Sequence, residues 1–142
     1  LRKKLQTVMI TIINNNLEIY MNSAKATIFY NQQIKMFNRC KGMHSAQAVA
    51  QFIDASLTLA RCYSKEDCIL LQELFLRRTY HDLINKICDP LQSECMRKQC
   101  LDQLYKPLLA LKRFYKKYDS SQKKYNELER ELRVLSHEFN PY

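Results

Sequence analysis

One glycine and three prolines in 142 residues limit what this chain can fold into. Strand-rich folds turn often, and their turns draw on glycine and proline. A chain this poor in both is all-α. The apolar residues recur at helical spacing almost throughout. Leu5, Val8, Ile12 and Tyr20 share a face, with Met9, Ile13 and Leu17 beside it. Thr27, Tyr30, Ile34 and Phe37 make a second stripe, which stops at Gly42, placed as a helix-ending C′ residue. Ser45 is expected to cap a third helix carrying Ala46, Val49, Ile53, Leu57 and Ala60. "SKED", starting at Ser64, resembles a capping box. The helix after it carries Ile69, Leu76, Tyr80, Leu83 and Ile87, flanked by Leu70, Leu71, Leu74 and Phe75. So wide a stripe predicts the central helix.

Asp89-Pro90 should end that helix, because the residue before proline avoids the α region. Ser93 caps a shorter helix to about Tyr105, and Pro107 fits the first turn of the next, which runs to about Tyr118. Asp119-Ser120-Ser121 marks a turn and a cap before a last helix with Tyr125, Leu128, Leu132, Leu135 and Phe139. The expectation is a compact, disulfide-stapled bundle of seven short helices, or eight if Asn14-Asn15-Asn16 breaks the first. No repeat or linker divides the chain, so 1–142 reads as a single helical domain. A chain of this length buries about two thirds of its unfolded surface. No apolar run approaches the roughly 18 residues a membrane span needs. A chain starting at leucine reads as a processed product or fragment of a longer secreted protein.

Six cysteines, Cys40, Cys62, Cys68, Cys88, Cys95 and Cys100, decide the expected compartment. Zinc sites pair ligands at spacings such as C-x₂-C, which this chain lacks, and His44, His81 and His137 are scattered. No cysteine is marked out as a catalytic thiol by an assisting base. Buried free thiols in a cytosolic helical protein are one reading. Three disulfides in a secreted protein are the preferred one. Antiparallel helices would place Cys62 beside Cys68, and Cys40, Cys88, Cys95 and Cys100 at the opposite pole. Five residues along one helix hold Cys95 and Cys100 roughly 8–9 Å apart, too far for a bridge between them. The preferred pairs are Cys62–Cys68, Cys88–Cys95 and Cys40–Cys100, with Cys88–Cys100 and Cys40–Cys95 left open.

No phosphate loop, H-E-x-x-H or G-x-S-x-G occurs, so neither an enzyme nor a cofactor is expected. In Tyr80-His81-Asp82 the last two side chains diverge by about 100° on a helix and make no dyad. The net charge of +9 suggests an acidic partner: nucleic acid, membrane, acidic glycan or an acidic N-terminal region of its own precursor. Oxidised cysteines would argue against nucleic acid. The basic residues concentrate in "YKPLLALKRFYKKYDSSQKK", with Arg97-Lys98 and Arg77-Arg78 as a possible extension. Tyr105, Lys112, Arg113, Phe114, Tyr115, Lys116, Lys117 and Tyr118 are the candidate partner-binding residues. The plainer reading is an amphipathic helix with Leu108, Leu111 and Tyr115 inward and lysines outward. There is no N-x-[ST] sequon.

"IKMFNRCKGM", "LARCYSKEDC" and "ICDPLQSEC…KQC" resemble the C-terminal helical half of the mosquito salivary 30-kDa Gly/Glu-rich family, the family of anopheline antiplatelet protein and aegyptin. The resemblance spans essentially the whole chain. It implies an extracellular salivary protein that binds collagen and blocks platelet adhesion and aggregation. It also implies an acidic N-terminal half, the electrostatic complement of this basic one. It carries over no contact motif. From physics alone, a helical face with aromatics could lie along the collagen rod, and replacing Phe114, Tyr115 and Tyr118 with alanine should weaken collagen binding in a folded protein. The competing readings are another secreted helical ligand, either a cytokine-like receptor binder or a salivary complement inhibitor, and an intracellular scaffold with free thiols.

Overall fold

The computed structural model describes residues 1–119 and 122–139, without the side chains of 13–22 and 139. Among these it has six α-helices: α1 Arg2–Arg39, α2 Ser45–Lys65, α3 Ile69–Cys88, α4 Glu94–Gln103, α5 Tyr105–Tyr118 and α6 Lys123–Phe139. The count corrects the expected seven to eight. The first two stripes belong to one helix of 38 residues, which runs unbroken through Asn14-Asn15-Asn16. No glycine or proline interrupts residues 1–39, so nothing pays for a break there. The expected cap at Ser120 and Ser121, and the stripe positions Ile13, Leu17, Tyr20 and Phe139, lie outside the described residues or side chains.

The connections show which local signals govern. Gly42 adopts φ +86° in the α1–α2 turn, two residues beyond the C-cap Cys40. Ser45 caps nothing: it is already helical, and its buried hydroxyl donates to the Gly42 carbonyl. The capping box at Ser64 does not form either, because α2 continues to Lys65. Instead Cys68 N–H donates to Tyr63 O at 2.9 Å and Asp67 N–H to Ser64 O at 3.2 Å. That is a Schellman closure, with Asp67 at φ +57° in the left-handed place that glycine usually takes. Other expectations match. α3 stops at Cys88, before Asp89-Pro90, and the Ser93 hydroxyl accepts from Met96 N–H at 3.1 Å to cap α4.

One core draws on all six helices. α3 packs against α2, α4, α5 and α6, but α2 likewise packs against α1, α3, α4 and α5, so the two share the centre and the expectation of α3 as the one central helix is corrected. Rings tie α1, α2 and α3 together. Phe37 stacks on Phe52 at 4.4 Å, and Phe75 lies edge-on to Tyr30 at 5.3 Å and stacked on Tyr63 at 5.5 Å. Such pairs add about 0.5–1.5 kcal/mol each beyond the area they bury. The wide stripe of α3 is not wholly buried, however: Leu70 is 81% exposed, and Leu74 is also exposed. α1 is about 57 Å long and α2 about 31 Å, so α2 can cover only the second half of α1. Ala26, Tyr30, Gln33 and Phe37 are buried there. The same 4-3 spacing continues back to Ile12, Met9 and Leu5, which are exposed.

All six cysteines are free thiols. The expected staples Cys62–Cys68, Cys88–Cys95 and Cys40–Cys100 are therefore not formed, although the residues lie at the expected poles. Cys62 and Cys68 flank the α2–α3 turn, while Cys40 ends α1, Cys88 ends α3, and Cys95 and Cys100 lie on α4. Their individual surroundings differ. Cys100 is fully buried, with its Sγ 3.8 Å from Met96 Sδ, whereas Cys95 is exposed. Burial pushes the Cys100 thiol up to about 12, with Lys86 opposing weakly. Burial also raises Cys88, against the nearby Arg97. The Cys68 thiol donates to Glu66 O at 3.6 Å.

Candidate functional site

α5 turns a 3-4 stripe inward: Pro107, Leu111, Phe114 and Tyr115 are buried and Leu108 partly so. The flank beside this stripe cannot follow it into the core. Together with the outer side of α2 it forms an open groove of about 430 Å³. Leu57, Ala60, Arg61 and Ser64 of α2 make one wall, and Tyr105, Lys106, Leu109, Ala110, Arg113, Lys117 and Tyr118 of α5 the other. Gln72, Leu76 and Phe114 also line it.

Five of the eight candidate residues meet here: Tyr105, Arg113, Phe114, Lys117 and Tyr118. Tyr105 is 55% exposed and Tyr118 41%, so these rings are available to a ligand. Phe114 is 4% exposed and belongs to the core as much as to the groove. Its ring lies 4.9 Å from that of Tyr118, and Lys117 Nζ sits 5.1 Å from the Tyr118 centroid. The apolar floor is thus continuous with the tyrosine at its rim.

The other three candidates do different jobs. Tyr115 is 1% exposed, as the amphipathic reading of α5 required. Its hydroxyl donates to Glu73 Oε1 at 2.8 Å and accepts from Arg77 at 2.9 Å. Burial, the largest influence, raises its pKa, with Arg77 opposing. The same hydrogen bond holds the Arg77 guanidinium more firmly charged. Lys124 reaches Glu73 at 3.3 Å, so Tyr115 fastens α5 to α3 and to the start of α6. Lys112 turns toward α6, its Nζ 5.9 Å from the Tyr125 ring. Lys116 is exposed and does not line the groove. The alanine triple at Phe114, Tyr115 and Tyr118 would therefore remove two core rings, and its expected innocence toward folding is corrected.

Spacing on α5 alone did not reveal Arg61, Ser64 or Gln72, which come from other helices. Gln72 Oε1 is buried without a hydrogen-bond partner. The charged groups lining the groove are the cations Arg61, Lys106, Arg113 and Lys117. Arg61 donates to Thr58 and Lys106 to Gln103, at 3.0 and 3.3 Å. These contacts to exposed or half-buried residues are weak enough for a ligand to displace.

The Tyr80-His81-Asp82 run lies on α3. Tyr80 is buried and donates to Leu128 O at 3.5 Å, while Asp82 is half-buried, with Oδ2 unpartnered. Burial raises the Asp82 carboxyl, with Arg78 as the main opposing charge. Among the described residues no three His, Cys, Asp or Glu side chains cluster to hold a metal, and no helix is long and apolar enough to cross a membrane. Neither a family model, a curated protein nor a solved structure matches the chain.

Proposed function

We propose that the protein is a binding module that acts by occlusion, with the α2–α5 groove as its contact face and collagen as its ligand. The observation that carries this reading is the pairing of exposed Tyr105 and Tyr118 with an apolar floor in one groove. Aromatic-lined grooves take extended proline-rich segments, whose rings pack flat on tyrosine and whose conformation is already fixed before binding. Collagen presents three such strands. Tyr105 and Tyr118 are 13 positions apart, about 20 Å along a helix, which matches about six residues of a polyproline-like strand. Arg61, Lys106, Arg113 and Lys117 supply donors for the backbone carbonyls such a rod exposes.

A coat of this protein would hide collagen from platelet receptors, and adhesion and aggregation would fall. This is the role implied by the salivary-family resemblance.

The direct test is a pull-down on fibrillar collagen with the protein and a Tyr105→Ala/Tyr118→Ala variant. Both substitutions fall on exposed rings, so the fold should persist. Binding by the parent and a loss of about tenfold or more in the variant support the reading, as expected for two aromatic anchors. No retention of the parent protein, or equal retention of both, rejects it.

A further inference from the structure

A second groove, where α1 gives way to α2, has a different chemistry. Its volume is about 420 Å³, within the range of about 300–1,000 Å³ typical of ligand sites. Lys35, Arg39 and Lys41 line it from the α1 side, and His44, Gln47 and Gln51 from the α2 side. No carboxylate lines it, and no Asp or Glu occurs between Glu18 and Asp54 in the sequence. The three cations are exposed.

Two helix ends also meet here. Their partial charges, roughly −0.5 at the end of α1 and +0.5 at the start of α2, largely cancel. The three full positive charges remain and set the local field. At the start of α2, neither a side-chain cap nor a first-turn acid competes for an anion. The groove's one aromatic ring is the His44 imidazole and it lacks any Phe, Tyr or Trp, so it offers a nucleic-acid chain no row of rings for successive bases. What it does offer is a row of cations facing a row of neutral amides. Sulfate groups answer the first, and sugar hydroxyls answer the amides of Gln47 and Gln51.

The geometry points to a binding site for a sulfated glycan chain in the α1–α2 groove, separate from the collagen face. The site stands or falls independently of the α2–α5 reading, since the grooves share no lining residue.

The test uses a heparin octasaccharide as probe, with desulfated heparin and a poly-dT oligonucleotide in parallel, at near-physiological salt. The parent should bind the octasaccharide and lose it on desulfation. A Lys35→Gln/Arg39→Gln/Lys41→Gln variant should bind about tenfold or more weakly with an unchanged melting temperature, because it removes the anion contacts. Lys112→Gln/Lys116→Gln/Lys117→Gln removes the same charge from α5 and should cost less than about twofold. Gln47→Ala/Gln51→Ala should cost about threefold for the octasaccharide. Should the groove variant melt early, Arg39→Gln alone decides, with a loss of about threefold expected. An equal loss in both lysine-containing triples would show that binding follows net charge, and would overturn the site. So would unaltered affinity in the groove variant, absence of octasaccharide binding, or poly-dT binding as tightly through the same three cations.

Discussion

Two grooves on this bundle have nearly the same volume, about 430 Å³ between α2 and α5 and about 420 Å³ between α1 and α2, yet their walls differ. The first combines rings, cations and an apolar floor. The second combines cations, amides and the His44 imidazole, and has no Phe, Tyr or Trp. Their foundations differ as well. Phe114 forms both floor and core in the first, so that groove is a margin of the hydrophobic interior. The second lies where two helix ends meet, and its polar side chains mostly stand free of the core. Nearly equal space is thus lined in two ways: by rings and an apolar floor in one groove, by cations and amides in the other.

The largest expected effect follows from that difference in foundation. Phe114→Ala should destabilise the protein by about 3–5 kcal/mol, the usual range for a deleted core ring. Removing all three cations from the α1–α2 groove should change stability by no more than about 0.5 kcal/mol. Urea unfolding of both variants measures this, and a mild Phe114→Ala would break the claim that the first groove is rooted in the core. Ionic strength comes next. Raising salt from about 0.15 M to about 0.5 M shortens the screening length below about 8 Å. Octasaccharide affinity should fall about tenfold or more and collagen affinity by less than about threefold. Parallel losses would mean that the aromatic groove also binds mainly by charge.

Tyr115→Phe should cost about 1 kcal/mol in thermal or urea unfolding, since it removes the hydroxyl shared by Glu73 and Arg77. Ligand binding at both grooves should stay intact, because Tyr115 lines neither. The smallest effect concerns Cys40, which lines the α1–α2 groove. Bound octasaccharide should slow its alkylation about threefold, and a collagen peptide should not. Cys100 is the internal control: it is buried, its thiol is pushed up to about 12, and it should stay unlabelled throughout. Mass spectrometry of labelled peptides reads both.

The sequence made the helices legible because apolar spacing is a local signal. α5 and the Ser93 cap appear where the spacing and capping rules put them, and α3 ends where Asp89-Pro90 puts its end. It divided α1 into two helices, because the stripes Leu5 to Tyr20 and Thr27 to Phe37 read as separate, although no glycine or proline lies between them. It misread Ser45 and Ser64 for a different reason: a serine before an apolar run serves equally well inside a helix, and only the preceding turn decides. On α5, charge and aromatic density pointed to the segment that lines the groove with α2, but residue type could not sort groove from core. Tyr115 and Tyr118 differ only in which side of the helix they occupy. Arg61 and Gln72 were illegible, because their contribution depends on how α2 and α3 pack beside α5.

The claim on which the functional account rests is that a collagen rod lies along the α2–α5 groove. Chemical-shift mapping with a triple-helical Gly-Pro-Hyp-rich peptide tests it most directly. The predicted result is a set of perturbations confined to Leu57, Ala60 and Arg61 on α2 and Tyr105, Leu109 and Tyr118 on α5. Shifts clustered at Lys35, Arg39 and Gln47 instead, or no shifts at saturating peptide, would contradict it.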